Sequence, residues 1–214
     1  MPKHQSAYRE HYITETALMK VFNDLLTAAD RGQISALCLL DLTAAFDTVD
    51  HNLLLRRLKL SYGVQGQALS WFESYLTNRT YCVIYSGETS SEIFVTCSVP
   101  QGSVLGSLLF VLYTDDLADI AMEYGVTLHA FADDTQLYLH CDSNSIVQSV
   151  TTLEQCITAI GKWMSANHLK LNTDKTELLW TGSRHCLRGL SGNGPSLVLG
   201  VDDSSRGKPK LAQK

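Results

Sequence analysis

Two adjacent carboxylates, Asp133 and Asp134, sit inside the stretch Leu128-His129-Ala130-Phe131-Ala132-Asp133-Asp134-Thr135-Gln136-Leu137-Tyr138-Leu139. β-prone residues flank them on both sides. A two-residue connection is the commonest tight hairpin loop, and Asp tolerates the left-handed backbone such turns use. As a turn alone the pair is a poor choice. Asn-Gly or Asp-Gly fits with less strain, and neighbouring anions at a hairpin tip repel each other. A cation at the tip removes that objection; the competing reading is a solvated acidic turn. A third carboxylate separates the two. Asp41 ends the apolar run Ile34-Ser35-Ala36-Leu37-Cys38-Leu39-Leu40. If the fold sets the end of that run beside the hairpin, Asp41, Asp133 and Asp134 converge. Hard oxygen ligands suit Mg²⁺, commonly held by one or two carboxylates plus substrate phosphates. Two such ions roughly 4 Å apart can activate an attacking oxygen and stabilise a leaving one in phosphoryl transfer. The spacing permits this chemistry without requiring it.

The elements that must position these residues follow from periodicity. Residues 14–31 read as a helix, with Leu18, Val21, Phe22, Leu25 and Ala29 on one face and Gly32 as the stop. Residues 34–40 are too short for a helix and show no polar alternation, so they read as a strand buried on both faces. Asp50 is placed to cap a helix over 51–60. Residues 66–77 form another amphipathic helix, with Trp71 read as core in preference to an exposed platform. Residues 80–85 and 92–97 read as hairpin arms joined by Ser86-Gly87-Glu88-Thr89-Ser90. A strongly apolar helix is expected over 105–124, and the arms of the acidic hairpin over 126–132 and 135–141. Ser145 is placed to cap a helix that runs to about Asn167. Its residues Ile146, Val150, Leu153, Ile157, Ile160 and Met164 make a continuous apolar seam. A polar link, Lys170-Leu171-Asn172-Thr173-Asp174-Lys175, leads to a strand over 177–181. This order mixes helices and strands without βαβ alternation and predicts an α+β fold with helices on one face of the sheet. Residues 201–214 are polar and read as a disordered tail.

The chain has 214 residues, is 45% hydrophobic and 18% charged, and reads as globular. Its formal net charge of −5 argues against a general nucleic-acid binder, which carries a basic surface, but not against an acidic site neutralised by metal. Six cysteines without a C-x-x-C pair argue against zinc. No signal peptide and no apolar run of membrane-spanning length stand out, so the expected setting is intracellular, in cytoplasm or nucleus.

Four stretches resemble the palm motifs of reverse transcriptases. They are Asp41-Leu42-Thr43-Ala44-Ala45-Phe46-Asp47-Thr48-Val49-Asp50-His51, Val99-Pro100-Gln101-Gly102-Ser103-Val104-Leu105-Gly106, Phe131-Ala132-Asp133-Asp134 and Asn172-Thr173-Asp174-Lys175-Thr176. They occur in the family's order, and the resemblance covers roughly residues 5–200. The Phe-Ala-Asp-Asp form, and Ala45-Phe46-Asp47 followed by Val49-Asp50-His51, are most similar to non-LTR (LINE-type) retrotransposons.

The resemblance implies an α+β palm: an antiparallel sheet with a catalytic Asp-Asp hairpin packed on helices. It implies RNA-templated DNA synthesis, with an RNA template, a DNA primer and deoxynucleoside triphosphates as partners, no membrane, and Mg²⁺ (two ions, with Mn²⁺ as a substitute) as cofactor. Asp41 and Asp133 would be the main metal ligands, and Asp134 would complete the catalytic cluster. Leu42, Phe46, Gln101, Gly102 and Lys175 would bind substrate. Among these, Phe46 would lie under the sugar and reject a 2′-OH, and Lys175 would sit near the leaving pyrophosphate. Each has a plainer reading: Phe46 as core, Gln101-Gly102 as a turn after Pro100, Lys175 as a solvated lysine. Asp47 and Asp50 are read as a loop charge and a cap; His129 and His140 are assigned no role. The expected organisation is a remnant of the fingers and the helix leading into the palm over 1–33, a palm over 34–200 and the tail beyond. Fingers and thumb are expected to be truncated, in a piece of a longer polyprotein or a decayed copy. Two rivals stay open: a non-catalytic palm-derived binding or scaffold module, and a two-metal nuclease or integrase.

Overall fold

A computed structural model describes residues 2–188, 190 and 194–199; the expected tail over 201–214 lies outside the described residues. The first helix, α1, spans Thr14–Asp30, and the apolar run forms strand β1, Ile34–Leu40, buried along most of its length. A two-residue strand β2 (Leu42–Thr43) follows Asp41 directly. Helix α2 (His51–Leu60) begins at Asp50, whose carboxylate accepts a hydrogen bond from the Leu53 amide at 2.8 Å. Helix α3 is Gly66–Leu76. Trp71 on it is 54% exposed, against the reading of core, and stacks on Tyr75 with centroids 5.5 Å apart. Leu69, Phe72, Tyr75 and Leu76 make the face of this helix that packs on the core, and Trp71 lies off that face.

The next hairpin is two nested strand pairs: β3 (Thr80–Tyr81) with β6 (Ile93–Phe94), and β4 (Ile84–Tyr85) with β5 (Glu88–Thr89). Its turn is Ser86-Gly87 alone, both at positive φ (50° and 86°), so Glu88 and Thr89 are strand and not loop. Positive φ at both central positions is the type I′ pattern that suits a tight hairpin. Ser103 caps helix α4 (Val104–Tyr113) by accepting from the Gly106 amide at 3.0 Å. The expected single apolar helix breaks here and resumes as α5, Leu117–Glu123. Asp115 and Asp116 in the break are engaged elsewhere. Tyr62 donates to Asp115 Oδ2 at 2.7 Å, and Arg57 donates to Asp116 Oδ2 at 2.7 Å. Asp is a weak helix former, and these long-range partners complete the interruption.

Strands β7 (Thr127–Phe131) and β8 (Asp134–Cys141) follow, then helix α6 (Ile146–Ala166), strand β9 (Lys170–Leu171), strand β10 (Glu177–Gly182) and helix α7 (Arg184–Leu187). Ser145 precedes α6, but its hydroxyl donates to the Asp142 carbonyl and makes no cap bond. The main sheet runs β10-β1-β8-β7, every pair antiparallel, with β1 and β8 in the middle. Alternate residues of β1 point to opposite faces. Ile34, Ala36, Cys38 and Leu40 join the main core with Phe110, Leu153, Ile157 and Ile160 from α4 and α6. Leu37 and Tyr138 instead pack on Val21 and Leu25 of α1. Helices therefore cover both faces, not one, and α1 is the cover of the second face. His129 and His140 serve this second layer: His129 Nε2 shares a hydrogen bond with Ser6 Oγ at 2.9 Å, and His140 Nδ1 with Ser35 Oγ at 2.7 Å. Burial lowers the pKa of both.

Candidate active site

Register decides which acidic residues meet. β1 and β8 pair with Leu40 opposite Thr135, so Asp41 and Asp134 each lie one residue beyond that last pair, at the same end of the sheet. Between β7 and β8, Phe131 pairs with Asp134. The tight turn is therefore Ala132-Asp133, not Asp133-Asp134 as the sequence suggests, and Asp134 is the first residue of β8. Ala132 takes the left-handed φ of 59°; positive φ at the first turn position alone is the type II′ pattern. The shift separates the roles of the two carboxylates. Asp133 sits at the turn and lines a small cavity of about 10 Å³ with Leu42, Phe110 and Gln5, while Asp134 is exposed on the strand. Partial burial, then the charges of Asp133 and Asp41, push the Asp134 carboxyl above its ordinary pKa. That electrostatic contact is what the structure shows of convergence. Among the described residues, no group of three or more His, Cys, Asp or Glu side chains closes into a metal-holding cluster.

Asp41 is half-buried and held by the link that follows α6. β9 pairs with β2, Leu171 opposite Leu42, and this lays the next residues over Asp41. Asn172 donates its side-chain Nδ2 to Asp41 Oδ2 at 2.9 Å and its backbone amide to the Asp41 carbonyl at 2.8 Å. Lys175 Nζ stands 3.7 Å from the same Oδ2, exposed to solvent. Leu42 is buried and belongs to the core, where it also lines the small cavity beside Asp133. Phe46 is half-buried and lies on Phe110, centroids 4.6 Å apart at 30°. Gln101 and Gly102 lie exposed in the turn before α4. Gly102 has φ of 77°, which glycine alone adopts freely, and Gln101 Nε2 donates to Asp47 Oδ1 at 3.1 Å.

Three positioning residues escape sequence reasoning. Asp47, read as a loop charge, holds Gln101 from 54 positions away. Asn172, quoted only as part of a motif, orients Asp41 from 131 positions away. Gln5 reaches Ala132 from 127 positions away. Spacing carries no trace of such pairs. Gly106 did carry a signal as a glycine inside a helical pattern. A Cβ there would collide with the Pro100 carbonyl oxygen and crowd Ser103 Oγ.

A protein-family model described as reverse transcriptase (RNA-dependent DNA polymerase) matches residues 1–200. The RNA-directed DNA polymerase from mobile element jockey of Drosophila funebris is 29% identical over 203 residues, covering 92% of this chain and 22% of the relative. The probable RNA-directed DNA polymerase from transposon X-element of Drosophila melanogaster is 36% identical over 135 residues, 62% of this chain and 15% of the relative. The chain thus spans about a fifth of the length of the curated relatives it matches. Among solved structures, telomerase from Candida albicans, in complex with a TWJ fragment of telomeric RNA, superposes with a TM-score of 0.59. The identity is 16%, and the match covers 82% of this chain and 32% of that one. Telomerase from Candida tropicalis gives a TM-score of 0.59 at 14% identity over 95% of this chain and 35% of that one. These likenesses are of fold.

Proposed function

Because the chain belongs to the reverse transcriptase (RNA-dependent DNA polymerase) family, we propose that its acidic end of the sheet is a nucleotidyl-transfer site that extends a DNA primer on an RNA template. The observation that carries this reading is the β1–β8 register, which sets Asp41 beside the Ala132-Asp133 turn and Asp134. The donor set fits Mg²⁺. It is all oxygen, and Asp41, Asp133 and Asp134 are close enough for their charges to add to burial in raising the Asp134 pKa. A closed protein cage is not needed, since Mg²⁺ keeps waters and takes substrate phosphates beside one or two carboxylates. Asp41 and Asp133 would hold it, with Asp134 adding charge. Bound there, the metal would activate the attacking oxygen and stabilise the leaving one.

The chain's own residues have separate tasks. Asn172 fixes the Asp41 carboxylate without neutralising it. Lys175, close to Asp41 and free to move in solvent, stabilises negative charge that develops on the leaving pyrophosphate. Phe46, braced on Phe110, fills the space a 2′-OH would need; that hydroxyl is the feature separating ribo- from deoxyribonucleotides. Asp47 holds Gln101 against the loop, and Gly102 leaves room for substrate backbone. The solution test is incorporation of one deoxynucleotide on an RNA–DNA template–primer with Mg²⁺ or Mn²⁺, comparing the chain with Asp133→Asn. Incorporation that falls at least about 100-fold in the variant supports the reading, a loss typical of removed electrostatic stabilisation. Equal incorporation, or cleavage of the duplex in place of extension, rejects it.

A further inference from the structure

The Ala132-Asp133 turn is held by a segment from the N-terminal end of the chain. Residues 4–6 run parallel to β7: Ala130 donates to the His4 carbonyl at 2.8 Å, and Ser6 donates to the Ala130 carbonyl at 2.9 Å. From this segment Gln5 reaches past the end of β7. Its Nε2 donates to the Ala132 carbonyl at 3.0 Å, and its Oε1 accepts from the Ala132 amide at 2.9 Å and from the Ala7 amide at 2.9 Å. One side chain takes up both backbone groups of the left-handed turn residue, as a neighbouring strand would. Gln5 is 3% exposed, so these bonds do not compete with water. The turn needs such a brace. An L-residue in the left-handed region costs about 1–2 kcal/mol, and the turn also sets two like charges, Asp133 and Asp134, side by side. Glycine at position 132 would lower the strain but loosen the turn; alanine with an amide clamp keeps it in one geometry.

We propose that Gln5 is a positioning residue: it fixes the Ala132-Asp133 turn and so sets where the Asp133 carboxylate stands relative to Asp41. The amide is specific to the task. Glutamate would face the Ala132 carbonyl with an acceptor, and asparagine is one methylene too short. The proposal rests on the metal-site reading for its consequence and on geometry alone for the clamp, and the experiment separates the two.

The full chain is compared with Gln5→Ala, Gln5→Glu and, as a control in the same segment, Ser6→Ala, which loses the bond to His129 and spares the clamp. Two quantities are read: amide hydrogen exchange at Ala132 by NMR, and Mn²⁺ affinity by electron paramagnetic resonance. Both Gln5 variants are expected to speed Ala132 exchange and to weaken Mn²⁺ binding about 10-fold or more, the usual cost of losing an outer support of a metal site. Ser6→Ala should do neither. Unchanged Ala132 exchange in Gln5→Ala overturns the clamp. Faster exchange with unaltered Mn²⁺ affinity, or an equal Mn²⁺ loss in Ser6→Ala, overturns the positioning role. Failure of the unaltered chain to bind Mn²⁺ counts against the metal site, and the exchange measurement still decides the clamp.

Discussion

Replacing Phe46 by alanine tests two roles of one ring with two separable readouts. Full Phe→Ala truncation in a core costs about 3–5 kcal/mol through lost transfer energy and the cavity left behind. Phe46 is only half-buried, so about half of that applies, or about 2 kcal/mol. The ring also lies 4.6 Å from Phe110, which is fully buried and cannot relax toward solvent. That pairing adds about 0.5–1.5 kcal/mol beyond area. The expected loss is about 3 kcal/mol, read as a lower urea midpoint at unchanged slope. Phe46→Leu keeps most of the buried volume and should lose about 1 kcal/mol. The second readout is the ratio of ribonucleotide to deoxyribonucleotide incorporation. It should rise for alanine more than for leucine, because space under the sugar scales with the atoms removed. A stability loss below about 1 kcal/mol for alanine would show that the ring does not pack on Phe110 in solution. The full stability loss with an unchanged sugar ratio would show that Phe46 is core and not a gate.

Tyr138→Phe removes a hydroxyl that donates to Asp24 Oδ2 at 2.6 Å while leaving the buried ring in place. Burial pushes the Asp24 carboxyl up, but hydrogen bonds from Tyr138 and Lys20 outweigh it and bring the pKa below its ordinary 3.8. A depressed carboxylate adds stability above its unfolded pKa that is lost as pH falls through its folded pKa. The variant should therefore be about 1 kcal/mol less stable at pH 7, a charge-assisted bond discounted for the exposed side of Asp24, with the gap closing below about pH 4. A gap that persists in acid would rule out this bond as its source. Gly106→Ala should displace the Pro100 carbonyl and cost at least about 2 kcal/mol by thermal unfolding; wild-type stability would mean the loop moves freely. With formal net charge −5, the chain should hold an RNA–DNA duplex weakly and with a shallow salt dependence, since each phosphate neutralised adds about 0.9 to the slope. Fluorescence anisotropy showing a slope steeper than about 4 would contradict this.

What periodicity could read, it read well. The run 34–40 is β1, the Asp50 cap starts α2, and the apolar seam of α6 faces the core. Where local pattern met a distant partner, the partner decided. The apolar helix breaks where Tyr62 and Arg57 claim Asp115 and Asp116. The acidic turn slips by one residue where Gln5 holds Ala132. α1 was legible as amphipathic, but which sheet face it covers depends on Leu37 and Tyr138, which no window around α1 contains. The acidic residues themselves were legible as candidates because the proposed chemistry would fix residue type and order. Their supports were not, because an amide can reach a site from any part of the chain.

Those supports share a physical logic. Asn172 on Asp41, Gln101 on Asp47 and Gln5 on Ala132 are all neutral amides, and each donates through its nitrogen. A cation in any of these places would orient the acidic loop equally well, but it would also cancel the negative charge the proposed metal site needs. An amide supplies the hydrogen bond and leaves the charge in place. The one ammonium near Asp41 that the described ion pairs include, Lys175, stands at 3.7 Å and is exposed, so water screens it when no substrate is bound. In the proposed reaction, phosphates would enter and displace that water, and the same charge would gain strength. On the proposed reading the amides fix the site and Lys175 responds to substrate. Lys175→Gln should accordingly slow incorporation while leaving Mn²⁺ affinity unweakened, the opposite pattern to Asn172→Ala, which should weaken both. Parallel loss in the two variants would refute that division of labour.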